Sequence, residues 1–255
     1  VVDYDSMFEA NDDLKFVYFH KKQVFMRALC EELKGTVVDQ FSGNFTCTHD
    51  GKQYLVRFGV SVSDDFKVYR LAPGRMNVLN EQKLPTPTYN ALILRDIHFE
   101  GIDEYVKKCI GDDESARECL KMVKAWYQKM GFQQYVGMLD SVALSAIFCF
   151  WFAQNEGLKG CESMQLFKGF LTFLSMKNWT EAIQIGKFTG SLPADRKNAF
   201  DLTAFKSSST VVLVDPSGTT NLTANCEIKT LNLLGHFAKC LLECLNGSRQ
   251  VSLES

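Results

Sequence analysis

Apolar residues recur at helical spacing near the start of the chain. Leu14, Val17, Tyr18, Val24, Phe25, Ala28, Leu29 and Leu33 trace one face of a helix predicted from about Asp12 to Leu33, with Lys15, Lys22 and Lys34 mostly off that face. Gly35 then offers the residue that helix C-termini commonly place in the left-handed region. Ahead of this helix, Val1–Met7 reads as a short strand carrying Asp3 and Asp5. Behind it the period shortens to two, and Val37–Phe41, Phe45–Thr48 and Gln53–Val62 read as strands. His49-Asp50-Gly51-Lys52 supplies the Asp-Gly pair that a type I′ hairpin turn wants, because both central residues need positive φ.

From Arg70 to Pro87 the periodicity vanishes, and Pro73, Gly74, Pro85 and Pro87 punctuate the chain. A domain boundary is expected here, dividing residues 1–84 from residues 85–255. Beyond it the pattern is mainly helical. Ser115-Ala116-Arg117-Glu118 has the form of a capping box, opening a helix on Cys119, Leu120, Val123, Trp126, Tyr127 and Met130 that stops at Gly131. Asp140-Ser141 caps a nearly all-apolar helix to about Gln154, and a helix apolar all round sits at the centre of its bundle. Ser163–Met176 follows. Thr210–Val214 returns to a β run that breaks at the turn residues Asp215-Pro216-Ser217-Gly218. A last amphipathic helix, about Glu227 to Asn246, closes the pattern, which is α+β as a whole.

Composition narrows the functional classes. A net charge of −2 and a pI near 6.1 exclude a chain held to nucleic acid mainly by bulk charge, so any RNA contact needs a local basic face. Nine cysteines without a C-x-x-C pair read as reduced thiols, against a disulfide framework or a zinc site. The longest apolar run, Val142 to Ala153, is too short to cross a bilayer, and no membrane partner is expected. Val1 lies inside a predicted strand with neither an initiator Met nor a signal peptide, so the chain reads as part of something longer.

Several segments resemble a known family. Leu84-Pro85-Thr86-Pro87-Thr88-Tyr89-Asn90 with Leu94-Arg95-Asp96 is similar to the P-T-P-x-Y-N segment of the Nrap family of nucleolar RNA-associated proteins. Val211-Val212-Leu213-Val214-Asp215-Pro216-Ser217-Gly218, followed by Asn221-Leu222, resembles its V-V-F-V-D-P-S-G-x-x-N-L stretch. Tyr18-Phe19-His20-Lys21-Lys22 resembles its Y-F-[HR]-K-[KR] helix, and Arg70-Leu71-Ala72-Pro73 with Asn77-Val78 is also similar to a family segment. The resemblance implies an incomplete polymerase-β-type nucleotidyltransferase domain, followed by a mainly helical domain like those of poly(A) polymerases and oligoadenylate synthetases. It implies a non-catalytic scaffold role in the small-subunit processome of the nucleolus, inside the nucleus, alongside processome protein subunits and precursor ribosomal RNA. No cofactor or small-molecule substrate is expected.

Nucleotidyl transfer needs two metal ions held by carboxylates on adjacent strands. Asp3-Tyr4-Asp5 has the spacing of a metal-binding pair, since alternate strand residues share a face, but two nearby acids are more often a solvated strand end. The family pattern aligns Asp3 with the second acid and puts Val1 in the place of the first. The third acid should lie on the strand around Tyr54–Val62, which holds no carboxylate. Asp3 and Asp5 are therefore read as vestigial, with no catalytic residue and no metal site, and an active RNA nucleotidyltransferase is the alternative. His20, His49, His98 and His236 are far apart in the sequence and suggest no catalytic pairing. Lys15, Lys21, Lys22 and Arg27 on the first helix are the candidate RNA contacts of a second alternative, an RNA-binding module without activity; Lys67, Arg70 and Arg75 form a smaller cluster. For both groups the plainer reading is a solvated face.

Overall fold

A computed structural model describes residues 2–3, 17–37, 44–62, 64–78, 81–132, 135–193, 196 and 198–247. Contacts divide the chain into two compact units. The first is Val1–Glu100 with Gly190–Ala199, and the second is Gly101–Thr189 with Phe200–Ser255.

In the first unit, β1 (Val2–Asp3) pairs in parallel with β5 (Val60–Ser61), while β2 (Thr36–Val37), β3 (Phe45–His49) and β4 (Lys52–Val56) form an antiparallel sheet. The β3–β4 hairpin turns where its Asp-Gly pair predicts: His49 pairs with Lys52, and Asp50 and Gly51 take φ of 50° and 71°. The single strand expected over Gln53–Val62 is instead two, separated at Arg57–Gly59.

Helix α1 spans Val17–Glu32 and buries Tyr18, Lys22, Met26 and Cys30. That stripe corrects the expected face: Val24, Phe25 and Leu33 remain 56, 44 and 45 % exposed. Its C-terminus also differs from expectation. Lys34, not Gly35, takes the positive φ of 50°, and the Gly35 N–H closes back to the Cys30 carbonyl at 2.8 Å. Gly35 is required for another reason, because a Cβ there would run into the buried Phe45 ring.

Two helices follow that the sequence pattern did not anticipate, the short α2 (Asp65–Tyr69) and α3 (Pro87–Ile97). Thr86 and Pro87 open α3 in the usual order, with proline at the first turn where its missing N–H costs nothing. α3 packs against β5 and lies wholly within the first unit. The contact division thus falls later than the 84/85 boundary expected from the loss of periodicity, which reflects a loop inside the unit.

The second unit is helical. It contains α4 (Phe99–Ile110, from Gly101 onward), α5 (Glu114–Lys129), α6 (Ser141–Gln154), α7 (Ser163–Met176), α8 (Leu202–Ser208) and α9 (Ile228–Leu245). α6 is the central helix its composition predicts: Ala143 through Cys149, with Trp151 and Phe152, are all buried. Asp140 caps it by accepting from the N–H groups of Val142 at 2.8 Å and Ala143 at 2.9 Å. The α5 cap differs from the expected Ser115 box. Asp113 holds the Ala116 N–H at 2.9 Å, and the helix already begins at Glu114. Two short parallel strands, β6 (Ile183–Gln184) and β7 (Leu213–Val214), complete the unit. Among the described residues no helix is long and apolar enough to cross a membrane.

Candidate functional site

The segments singled out in the sequence are where buried polar side chains gather. In the first unit two of them are tied to the third, which carries α3. Lys22 is 4 % exposed, and its ammonium lies 2.9 and 2.7 Å from the two Asp96 carboxylate oxygens. The Tyr18 hydroxyl donates to the same carboxylate at 2.7 Å, and the Phe58 ring lies 5.4 Å from the Lys22 ammonium. One landmark, Tyr18–Lys22, is therefore tied to another, Leu94–Asp96.

Asn90, buried on α3, makes the second tie. Its amide donates to the carbonyls of Ala72 at 3.0 Å and Arg75 at 2.8 Å, and its Oδ1 accepts from the Asn77 side chain at 2.9 Å. Thr86 adds its N–H to the Arg75 carbonyl at 3.0 Å, and its hydroxyl accepts the Asn77 N–H at 2.9 Å. These bonds tie the 70–77 loop to α3, since they satisfy the carbonyls of Ala72 and Arg75 and the Asn77 N–H. The loop's own Arg75 guanidinium stacks 4.3 Å over Tyr69.

In the second unit Asp215 is fully buried, and its carboxylate is consumed by its own turn. It accepts from the N–H groups of Thr219 at 3.1 Å and Thr220 at 2.9 Å and from the Ser217 hydroxyl. Asn221 spans the turn's other arm, accepting the Leu213 N–H at 2.9 Å and donating to the Val211 carbonyl at 3.0 Å. Gly218, at φ 77°, and Gly186 lie where each backbone crosses the other segment so closely that no Cβ fits. This element is a structural clasp, with its polar atoms turned inward.

Among the described residues, the expected RNA-facing cations Lys21, Lys22 and Arg27 do not share one exposed face. Lys22 is corrected from a surface contact to a buried, paired group, because Asp96, far along the chain, supplies its counter-charge. Lys21 is half-buried. Arg27 is exposed and sits 3.3 Å from Glu31. Lys21 and Arg27 point about 120° apart around α1. Lys15 and Asp5 lie outside the described residues, as does the side chain of Asp3. The backbone of Asp3 pairs with Ser61 of β5. Among the described residues no three of His, Cys, Asp and Glu gather in a group able to hold a metal ion.

All nine cysteines are free thiols. Cys109 donates to the Cys149 carbonyl at 3.2 Å, and the neighbouring Cys149 thiol holds Cys109 below the ordinary thiol range while Cys149 itself is pushed up by Cys109 and by burial. Burial alone pushes the Cys119 thiol up to about 12.

Sequence reasoning missed Asp96, Asn77, Asn90, Thr86 and Tyr69. The resemblance marked most of them as landmarks, but not what each one holds.

Comparison with known proteins agrees with these landmarks. Residues 115–252 match the family domain described as the Nrap protein PAP/OAS-like domain. Nucleolar protein 6 of Mus musculus is 24% identical over 192 residues, covering 72% of this chain and 16% of that protein. The proteins of the same name from Xenopus tropicalis and Xenopus laevis are 27% and 26% identical over 172 residues, 63% of this chain in each case. The chain spans only 16%, 14% and 15% of the length of these three relatives. With the domain match covering more than half of its residues and the clasp of Asp215 and Asn221 inside that match, the chain belongs to the Nrap family.

Proposed function

We propose that this chain is a non-catalytic, nucleotidyltransferase-derived scaffold within a nucleolar protein of ribosome biogenesis, a part of the small-subunit processome. The relatives named nucleolar protein 6 support the nucleolar setting. The observation that carries the non-catalytic reading is the register of β1 on β5. Asp3 stands opposite Ser61, and the run Tyr54–Val62 through β4 and β5 offers no carboxylate to share a pair of divalent cations with it. The polar groups of the family-like segments support a structural role. Asp96, Asn90, Asp215 and Asn221 all spend their hydrogen bonds on the fold itself.

The test is incubation of the purified chain with magnesium or manganese, labelled nucleoside triphosphates and short RNA. No incorporation is expected. Template-independent addition that disappears in Asp3→Ala would overturn the scaffold reading in favour of an enzyme.

A further inference from the structure

The first unit carries a ladder of alternating guanidinium and aromatic planes that the fold does not use for its core. Arg75 lies 4.3 Å over Tyr69, and Arg196 lies 4.8 Å over Phe66 and 5.4 Å over Tyr69. The Phe66 and Tyr69 rings are 5.8 Å apart and tilted by 50°. Phe66 is 41 % exposed, Arg70 and Arg75 are exposed, and Tyr69 and Arg196 are half-buried. These residues come from three separate stretches, α2, the 70–77 loop and the 190–199 return, all within one unit.

Among the described residues the neighbouring acids Asp64 and Asp65 are turned to the backbone. Asp64 caps α2 through the Phe66 N–H at 2.8 Å, and Asp65 accepts the Ser191 N–H at 2.7 Å. Among the described residues Arg70 and Arg75 have no salt-bridge partner. The loop that presents them is fixed by Asn90 and Thr86, so little ordering is left to be done on binding.

We infer that the Phe66–Tyr69–Arg75–Arg196 ladder, together with the exposed Arg70 that follows Tyr69 in the chain, is a contact surface for single-stranded RNA. The exposed Arg75 guanidinium over Tyr69 presents its outer plane to a base and its N–H edge to a phosphate. The exposed Phe66 ring adds a second stacking surface that tolerates any base. An acidic protein segment would use the arginine charges but not the planes, which is why RNA is the better fit. The inference rests on this geometry alone and is independent of whether the chain is catalytic or resides in a processome.

The test uses the whole chain and a fluorescein-labelled single-stranded oligouridylate, with binding read by anisotropy across a salt series. Wild type should bind, with a log–log salt slope of about −1.4 to −2.1 for two or three phosphate contacts. Arg70→Glu/Arg75→Glu should weaken binding by at least about tenfold, as should Phe66→Ala. Arg75→Lys keeps the charge but loses the plane, so it should also bind more weakly. Circular dichroism and hydrogen exchange confirm that each variant is folded. Three results would overturn the proposal: no binding at low salt, unchanged affinity in the folded double variant, or equal competition by a polyglutamate peptide, which would assign the surface to an acidic protein partner.

Discussion

Removing the carboxylate of Asp96 should destabilise the first unit far more than replacing the whole Lys22–Asp96 pair. The side chains of Lys22 and Asp96 are 5% and 13% exposed, with the ammonium 2.7 Å from the nearer carboxylate oxygen. In Asp96→Ala the Lys22 ammonium stays buried without a counter-charge, facing the Phe58 ring, and the Tyr18 hydroxyl loses its acceptor. Stranding one partner of a buried pair costs about 3–5 kcal/mol, and the lower end applies because Asp96 is not fully sealed from water. Lys22→Met strands the less buried partner, which keeps the Tyr18 hydroxyl, so its cost should be smaller. Lys22→Met/Asp96→Leu removes both charges and should recover most of the loss, to within about 1–2 kcal/mol of wild type, the remainder being the orphaned Tyr18 hydroxyl. The assay is hydrogen exchange by mass spectrometry on peptides from α1 and α3. Tryptophan fluorescence does not serve, because Trp126, Trp151 and Trp179 all lie in the second unit. A loss of about 3 kcal/mol appears as exchange faster by about two orders of magnitude. Exchange in Asp96→Ala within about fivefold of wild type, or a double variant as labile as the two singles summed, would refute the reasoning.

Two further outcomes follow from the second unit, whose tryptophans report its unfolding. Gly218→Ala should cost at least about 2 kcal/mol in urea denaturation, since it combines a left-handed φ with a Cβ driven into the backbone at Lys187 and Phe188, whereas Gly157→Ala, facing open space, should cost almost nothing; equal midpoints would sink the clasp. Burial raises the Cys119 thiol from its ordinary 9.0 to about 12, so its neutral form contributes stability that is complete below the ordinary value and is lost as pH climbs toward the folded one. Under reducing conditions, wild type should therefore lose stability above pH ~9 more steeply than Cys119→Ala, by up to about 1.4 kcal/mol per pH unit, and parallel curves would count against the burial account.

Much of the local architecture was legible in the sequence because the interactions that set it span only a few residues. The Asp50-Gly51 turn needs positive φ at both positions, Asp140 caps the helix that begins beside it, and the unbroken apolar run of α6 can only lie at a centre. The order of the Nrap landmarks was equally visible, and with it the family. What no local rule could supply was the identity of partners distant in the chain. Apolar residues lie on more than one side of α1, so periodicity alone did not decide its buried face. Asp96 decided it, 74 residues away, by drawing Lys22 inward. The same holds for β6 on β7, for the Asn90 ties to the 70–77 loop, and for Arg196 over Phe66. A buried charge or amide must find its complement wherever the chain brings one, and that meeting is a property of the packed molecule.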